Sequence, residues 1–511
     1  MARTALFLLI CFATVIGRLR AADTRKLDAE AAQIVNNIRL LEPGLPDPNR
    51  YPAAVAPGPL SIQRAVEIAL ANNLSLLMVR DGVRSLALDL QTSRRDFRPK
   101  FRAGASLFTT QSSVVVGNDQ FSSQNTNASQ TVGVTQRFPF GGEISLDAGA
   151  AYNSGSDDSG SYSPSGAVSL RLPVLRGFGI DQNAESIVQR KRNVLYALRS
   201  LKLQEQDVAI ATIESFLDLL SQQQRIRLLA ARLKGAELLH RRSVTFFAVG
   251  RESEFEMVRA AQEELRAKRD LEAAEAQLEN QKDSFKILVN LPADYPLEPA
   301  PYLPPDFPLP PNADAAIVLA LHRRADLRTI ADIVADKQRG LKFARNDLKP
   351  DLDLRASAAT SSWSSNNSSA VSQDYSAGIV FSLPLERTRE NVNLYDAFQD
   401  LAQSQREERY ARETNAAAIR GAIRVLQNID TSLIIQDQIV DSSRRKERLA
   451  EIRLAYGEAA NRDLIDAQND VLGDQNYRLD LQQDRYVGFL RLQRALGTFD
   501  IAQLLPATSQ P

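Results

Sequence analysis

Residues 94–106 read RRDFRPKFRAGAS and residues 345–357 read RNDLKPDLDLRAS, so one pattern around a proline occurs twice in the chain. Two further pairs of segments match in the same order. VSLRLP (168–173) is similar to IVFSLP (379–384), and VGRESEFEMVRAAQ (249–262) is similar to YGEAANRDLIDAQN (456–469). Three matches in a common order predict an internally duplicated chain.

Long helices are predicted in each half by apolar residues that recur every seven positions. Residues 184–247 contain no proline, and a helix over them would be roughly 95 Å long. Gly250 and Gly457 follow the two long segments, and glycine is the usual left-handed residue after a helix end. Each half therefore predicts a coiled-coil hairpin of two long helices. The apolar seams are formed by Ile187, Val194, Leu201 and Val208 and by Ile419, Leu426, Leu433 and Val440.

Short strands are predicted where apolar and polar residues alternate, at 101–107, 144–150, 168–172, 352–358 and 379–383. A soluble sandwich would bury the apolar face of such strands in its own core, whereas an outer-membrane barrel would turn that face towards lipid. The strands are too few and too short for a self-contained sandwich. They are also too few to close a wide barrel alone, so we favour a barrel that several chains share.

The first 22 residues have the features of an export signal. Residues 5–16 form an apolar run after Arg3, of a length typical of a signal core and short for a membrane span. A buried N-terminal helix is the alternative. After residue 22 no apolar run is long enough for a membrane-spanning helix. The only cysteine, Cys11, lies within the signal, so the mature chain is expected to form neither disulfides nor thiolate metal sites.

The overall composition argues against several classes of function. Lys and Arg number 62, as do Asp and Glu, whereas a general nucleic-acid binder carries a basic excess. No HExxH, GxSxG or Walker A pattern occurs, and the two histidines, His240 and His322, are far apart in sequence. We therefore expect no enzyme activity, no cofactor, no metal site and no nucleic-acid partner.

Proline-rich stretches and the repeat together divide the chain. The N-terminal part is predicted to be a signal peptide (1–22) and a Pro-rich segment (23–59). The first repeat has entry helices (60–98), barrel strands (99–175) and a helical hairpin (176–290). A Pro-rich linker (291–312) leads to the second repeat, which has entry helices (313–349), barrel strands (350–386) and a helical hairpin (387–497), followed by a C-terminal tail (498–511).

Four segments in these regions resemble the TolC-like outer-membrane efflux proteins. They are the entry helix LSIQRAVEIALANN (60–73), the strand-to-helix junction LRGFG (175–179) and the two hairpin tips, FAVGRESEFEMVRAAQEEL (247–265) and AYGEAANRDLIDAQNDVL (455–472). The resemblance implies a mainly α fold with a membrane β-barrel portion, in which a homotrimer shares one barrel in outer-membrane lipid and one periplasmic helical tunnel. It also implies a passive exit duct of a tripartite efflux or type I secretion system, with a periplasmic adaptor and an inner-membrane pump as partners.

The strand region departs from the best-known members of that family, which have four strands per subunit. The first half contains an additional predicted hairpin at about 131–152, turning at Gly141 and Gly142, a good hairpin-turn pair. This hairpin either enlarges the barrel or forms a separate flap, and the sequence does not choose between them.

The candidate functional residues are charges at the predicted tips. Asp463 and Asp466 are three residues apart and so share one helix face. In a trimer they would form acidic rings that attract cations at a narrow opening, and the resemblance places acidic residues of this tip at the periplasmic constriction. It also implies that Glu256 takes part in ionic links that keep the mouth closed, with Arg462 and Arg453 as possible partners. The alternative is that these charges are solvated helix surface.

Two further expectations concern the surface and the overall role. Trp363, near a predicted outer loop, is a candidate for the aromatic girdle of a barrel, with ordinary loop packing as the alternative. The competing function is a periplasmic coiled-coil scaffold that transports nothing. Alternating strands joined by polar loops favour the duct over the scaffold.

Overall fold

The structure is a computed structural model that describes residues 58–117, 119–154, 160–302, 305, 307–308, 312–365, 368–456, 458–459 and 461–501. The predicted signal peptide (1–22), nearly all of the Pro-rich segment (23–59), the turn residue Gly457 and most of the C-terminal tail lie outside the described residues.

The described residues form long helices and a group of extended strands. The helices are α1 (Ile62–Asn72), α2 (Leu74–Arg94), α3 (Ile180–Asn183), α4 (Glu185–Ala248), α5 (Glu254–Val289), α6 (Ala313–Arg323), α7 (Ala325–Asp347), α8 (Thr388–Tyr456) and α9 (Asn461–Leu496). The strands are β1 (Gly58–Leu60), β2 (Lys100–Val116), β3 (Asp119–Arg137), β4 (Glu143–Ser154), β5 (Ser161–Pro173), β6 (Leu297–Pro299), β7 (Asp351–Ser365) and β8 (Ser368–Ser382).

The helices repeat in the order that the duplicated sequence predicts. The first entry helices, α1 and α6, have 11 residues each, and the returning helices, α5 and α9, have 36 each. The long helices between strands and tips, α4 and α8, have 64 and 69 residues. Both entry helices begin with a polar cap, because Ser61 accepts a hydrogen bond from the Arg64 amide and Asn312 accepts one from the Asp314 amide.

The two long helices, α4 and α8, each end in a turn closed by a backbone hydrogen bond. After α4, Gly250 has φ +72° and the amide of Arg251 donates to the carbonyl of Phe246 over 2.8 Å. After α8, the Glu458 amide donates to the Arg453 carbonyl over the same distance. In both turns an amide donates to the carbonyl five residues earlier, and this bond satisfies a carbonyl that lacks a helical partner. They allow each long helix to be followed at once by its returning partner.

The strands form two sheets. The large one has the order β2-β3-β4-β5-β7-β8, with all neighbours antiparallel. Its β5–β7 pairing joins the first half of the chain to the second. The additional hairpin predicted at 131–152 corresponds to β3 and β4, which lie within this sheet. The short strands β1 and β6 pair in parallel.

The chain divides into two compact units. The described part of the first consists of Gly82–Tyr196 and Val334–Gln403 and contains the six-stranded sheet. The second contains residues 58–81, Ala197–Ile333 and 404–501. Its main apolar core gathers α1, the middle of α4 and the end of α5, with Phe216 and Phe285 fully buried. None of the described helices is apolar over a length sufficient to cross a membrane.

Candidate functional site

The six-stranded sheet has an exposed apolar face. One row across the strands consists, in register, of Phe101, Val134, Leu146, Val168, Ala358 and Tyr375. At the two ends of this row, Phe101 is 80% exposed and Tyr375 is 77% exposed. Leu107, Ile379 and Phe381 lie on the same face and are also exposed. Water-exposed apolar area on this scale is typical of a surface that meets a membrane or another protein.

The opposite face of the sheet is polar. A row of hydroxyl side chains crosses five strands, and neighbouring serines bond across the strands over 2.6 Å (Ser145 with Ser169) and 2.7 Å (Ser357 with Ser376). The row consists of Thr135, Ser145, Ser169, Ser357 and Ser376. A sheet with one apolar and one hydroxyl-lined face matches the arrangement of membrane barrel strands.

Charged residues on this polar face are paired. Asp353 is only 4% exposed and accepts from Arg171 over 2.9 Å and from Arg355 over 3.1 Å. Arg137 and Glu143, on β3 and β4, form a further pair at 3.0 Å. Such charges are costly in hydrocarbon and tolerated beside water. They therefore indicate that this face of the sheet contacts water.

An additional ion pair crosses an intervening strand. Arg102 on β2 bonds to Asp147 on β4, passing over Gly133 on β3. A Cβ at Gly133 would lie 2.8 Å from Arg102 Nε and would also collide with the Asp147 carboxylate. Glycine is therefore required at this position for the pair to form.

Trp363 does not lie where the girdle hypothesis needs it. The pairing of β7 with β8 is continuous, so Trp363 shares a face with Ser357 and Arg355, the polar face of the sheet. Tyr375 and Phe381 lie on the apolar face. The register thus disfavours Trp363 as an interfacial lipid-facing residue. The alternation around it contains too many serines to predict its face from the sequence.

In the second unit, the tips of the two hairpins pack together through a small apolar cluster. Ala260 and Ala467 are fully buried in it and occupy equivalent positions in the repeat, ten residues after Gly250 and Gly457. Their small side chains permit close approach of α5 and α9 to their neighbours. The other members of the cluster are Leu239, Ala450, Leu454, Leu464 and Ile465.

A polar network beside this cluster, buried at Ser243 and Asn461 and partly buried at Arg242 and Glu252, links the first hairpin turn to the second hairpin. The Asn461 side chain, 2% exposed, donates to Ser243 over 2.8 Å and to Glu252 over 2.5 Å. Arg242 donates to the Leu454 carbonyl over 2.7 Å. We call Arg242, Ser243, Glu252 and Asn461 the tip latch. Buried polar groups of this kind hold a specific arrangement because each loses a partner when the contact breaks.

Sequence reasoning did not identify the tip latch. Ser243 and Asn461, which are hydrogen-bonded, are 218 residues apart in the sequence. No local pattern signals a contact over that separation. The one available signal was Asn461 itself, since Asn is a preferred residue at the start of a helix, where it also occurs in the structure.

The predicted gate residues Asp463, Asp466 and Arg453 are all exposed and differ in their contacts. Asp463 lies exposed in the first turn of α9. Asp466 is also exposed and pairs with Arg462 of its own helix at 3.3 Å. Arg453 is exposed near the end of α8, where its carbonyl accepts from the Glu458 amide. The described contacts thus give Arg462 an intrahelical partner rather than one across the tips.

Glu256 has a helix-capping position. It is the third residue of α5, and its amide donates to the side chain of Ser253, the residue that caps the helix. Serine followed three residues later by glutamate is the capping-box pattern. Ionic contacts of Glu256 with Arg462 or Arg453 are not among the described ion pairs. At the tips, Glu252 rather than Glu256 accepts a hydrogen bond from the other hairpin, donated by Asn461.

Ion pairs also fix the register of α8 against α9. Asp430 pairs with Arg485, Asp437 with Arg478 and Lys446 with Asp470, at 2.5, 2.5 and 2.6 Å. Nearby, Asp218 of α4 accepts a hydrogen bond from Gln483. Burial raises the pKa of the Asp218 carboxyl above its usual range, and the neighbouring acids Glu214, Asp484 and Asp480 add to the increase.

Metal binding finds no support among the described residues. They contain no group of three or more His, Cys, Asp or Glu side chains arranged to hold an ion. His240, one of the two histidines, contacts Glu264 at 2.5 Å on the neighbouring helix. A single histidine–carboxylate contact between two helices is a packing interaction.

Residues 316–498 match the model of the family described as outer membrane efflux protein. The fold is similar to that of the Campylobacter jejuni CmeC outer membrane channel, with a TM-score of 0.64 and 15% identity over 88% of this chain and 90% of that one. It is also similar to the outer membrane protein VceC from Vibrio cholerae, with a TM-score of 0.63 and 16% identity over 85% and 96% of the two chains. No curated protein matches the sequence.

These comparisons confirm the resemblance to TolC-like outer-membrane efflux proteins and the predicted fold class of helical hairpins joined to barrel-type strands. The description of the family model that matches residues 316–498 agrees with the predicted outer-membrane location. The similar structures are themselves described as outer membrane channels or proteins.

Proposed function

We propose that this chain is the outer-membrane channel of a tripartite efflux or type I secretion system and acts as a passive exit duct. The observation that carries the proposal is the six-stranded sheet, which has an exposed apolar face and a face of hydroxyls and paired charges. The first face fits outer-membrane lipid and the second fits a water-filled lumen.

The working form is a homotrimer. A single sheet of six strands is smaller than the smallest closed barrels, which have about eight strands. Within the described residues, β2 and β8 each have a strand neighbour on one side only. Unpaired edges of this length invite pairing with another chain, and neighbouring copies supply the missing strands.

The remaining partners are a periplasmic adaptor and an inner-membrane pump. The tip region offers exposed apolar side chains at Val249, Phe255 and Tyr456, which fit an adaptor made of packed helices. Among the apolar residues of the tips, Leu464 and Ile465 are buried in the tip cluster and Phe255 is exposed. Phe255 is therefore the stronger docking residue.

The periplasmic mouth is gated at the tips. Asp463 and Asp466 of three chains form acidic rings that favour cations at the opening. The tip latch keeps the two hairpins of each chain together and so keeps the mouth closed. Its breakage in all three chains shifts the population towards an open form. Arg462 and Arg453 tune the charge of the same region.

The competing scaffold hypothesis leaves the sheet unexplained. A periplasmic scaffold surrounded by water would expose Phe101, Phe381 and Tyr375 without a partner, at a cost of about 25 cal/mol for each Å² of apolar surface. In a membrane the same residues contact lipid. We therefore favour the channel.

The proposal is tested by fractionating cells that express the full-length protein. We expect it in the outer membrane and as an oligomer of three chains that resists SDS until the sample is heated. Recovery as a water-soluble periplasmic monomer would support the scaffold instead.

A further inference from the structure

The hairpin formed by β3 and β4 turns at a fixed loop. The chain reverses through residues 138–142, where the Phe138 amide donates to the Gly142 carbonyl over 2.7 Å. Gly141 has φ +102°, a conformation that favours glycine. The rings of Phe138 and Phe140 stack at 5.2 Å between centroids.

This turn is packed against the junction between β5 and the following helices. The Gly179 amide donates to the Phe140 carbonyl over 3.1 Å. A Cβ at Gly141 would lie 2.5 Å from the Gly177 carbonyl oxygen and 3.1 Å from Pro173 Cγ. Asn183 donates to the carbonyls of both Gly177 and Gly179 over 2.8 Å. The turn and the junction therefore form one close-packed unit.

The pairing of the hairpin is equally continuous with the rest of the sheet. β3 pairs with β2 from Lys100–Thr135 to Val116–Asp119, and β4 pairs with β5 from Glu143–Arg171 to Asn153–Ser161. The apolar row through Val134 and Leu146 and the hydroxyl row through Thr135 and Ser145 both run across it. The hairpin thus has one apolar face and one polar face, as the neighbouring strands do.

We propose that each chain contributes six strands to the barrel and that β2 of one copy pairs with β8 of the next, so that a trimer closes a barrel of eighteen strands. The inference rests on the proposed trimeric channel and excludes a flap formed by the additional hairpin. The strand that pairs with each exposed edge belongs to another copy of this chain. The two edges suit each other, because β2 has 17 residues and β8 has 15.

The strand number determines the width of the lumen. Barrel diameter grows roughly in proportion to strand number, and about 16–18 strands leave an aqueous channel. The inward row next to the hydroxyl row contains the Arg102–Asp147 pair and Asp374. The row after it keeps the space open, because it has only small side chains: Gly104, Thr131, Gly149, Ser165, Ser361 and Ser372. The barrel therefore admits bulky hydrated solutes, and selection of solutes occurs elsewhere in the duct.

The pairing is tested by cysteine cross-linking in the full-length protein with Cys11→Ser. Ser106→Cys on β2 is combined in turn with Ser372→Cys, Asp374→Cys and Ser376→Cys on β8, a series that allows for the unknown stagger between copies. We expect at least one pair to give a disulfide-linked trimer on non-reducing SDS gels. The matched control replaces Ser106→Cys with Ala151→Cys, which lies on the same face of the interior strand β4, and should give none.

Each outcome decides the question. Cross-linking of the β4 cysteine but not the β2 cysteine to β8 of another copy would place β2 and β3 outside the barrel and overturn the proposal. An SDS-resistant trimer in which no pair cross-links would also overturn it. Absence of any trimer in the outer membrane would instead contradict the proposed function.

A second measurement addresses the width directly. Deletion of residues 119–154 removes β3 and β4 and leaves four strands per chain. Electron micrographs viewed down the barrel axis should show a ring whose diameter falls to about two-thirds of the parent's, following the strand number. An unchanged diameter would show that the hairpin is not part of the wall.

Discussion

Asn290 and Gly497 have the same left-handed backbone conformation, with φ of 59° and 69°. They follow the returning helices α5 and α9 and are equivalent in the repeat, 40 residues after Gly250 and Gly457. In each case the next residue donates to the fourth residue from the helix end, Leu291 to Lys286 and Thr498 to Gln493. The duplication thus extends from the sequence to individual helix-terminating hydrogen bonds.

The turn at Gly497 should not tolerate a side chain. A Cβ at Gly497 would lie 3.1 Å from the Arg323 carbonyl carbon, and a left-handed non-glycine residue costs about 1–2 kcal/mol. We expect Gly497→Ala to lower the thermal unfolding midpoint of the purified protein, followed by circular dichroism. Gly340→Ala, in a helix with open space around the site, is the control and should not lower it. Equal midpoints for the two variants would show that Gly497 is not constrained.

The ion pair over Gly133 should depend on the absence of a side chain there. Gly133→Ala forces Arg102 and Asp147 apart, and we expect a loss of about 1–3 kcal/mol, as for other overpacked positions. The measurement is the temperature at which the SDS-resistant oligomer dissociates. Gly378→Ala, on the same face with nothing within 4 Å, should leave that temperature unchanged. A Gly133→Ala oligomer as heat-resistant as the parent would argue against the pair.

Breaking the tip latch should open the mouth. Asn461→Ala removes the donor to Ser243 and Glu252, and loss of a buried partner costs about 1–3 kcal/mol, equivalent to roughly a tenfold larger open fraction. Asn461→Asp should have a larger effect, because it places a second carboxylate beside Glu252. Entry of a bulky antibiotic into cells that carry each variant measures the change. Asn428→Ala, exposed on α8, is the control. Equal antibiotic entry in the parent, the two Asn461 variants and the control would show that the tip latch does not hold the mouth closed.

The buried acid Asp218 should make the second unit sensitive to pH. Burial raises its pKa in the folded state, so the ionised form penalises folding once the pH rises above the ordinary value of 3.8. Asp218→Asn can still accept from Gln483 and carries no charge. We expect it to raise the unfolding temperature at pH 7 and to lose this advantage below about pH 3.8. A variant less stable than the parent at pH 7 would mean that the carboxylate is stabilising there.

The acidic mouth is tested through ion selectivity. Asp463→Ala should weaken cation preference and block by divalent ions in single-channel recordings, because three carboxylates leave the opening at once. Glu256→Ala should raise the open fraction less than Asn461→Ala does, since Glu256 lies in a helix cap. Asp441→Ala, an exposed acid on α8, serves as the control. Unchanged selectivity in Asp463→Ala would place the ring elsewhere.

Much of the fold follows from local periodicity. The seven-residue spacing of Ile419, Leu426, Leu433 and Val440 predicts a buried seam. Three of these residues are buried and Leu433 is half-buried. The alternation at 352–358 predicts a two-faced strand, which β7 forms. Both patterns arise within a few residues, so a single sequence contains them.

The features that escaped prediction depend on long-range pairing. The face of Trp363 follows from the register of β7 against β8, which serine-rich sequence does not determine. The tip latch joins residues from opposite halves of the chain. The place of the additional hairpin depends on its packing against Gly177 and Gly179, which no local pattern indicates.

The most direct test of the central claim is conductance of the purified trimer in planar lipid bilayers, recorded for the parent and for Asn461→Asp. We predict discrete, uniform conductance steps that favour cations, with a higher open fraction in Asn461→Asp than in the parent. Correctly folded trimers of both forms that insert into the bilayer and give no steps at any applied voltage would contradict the channel assignment.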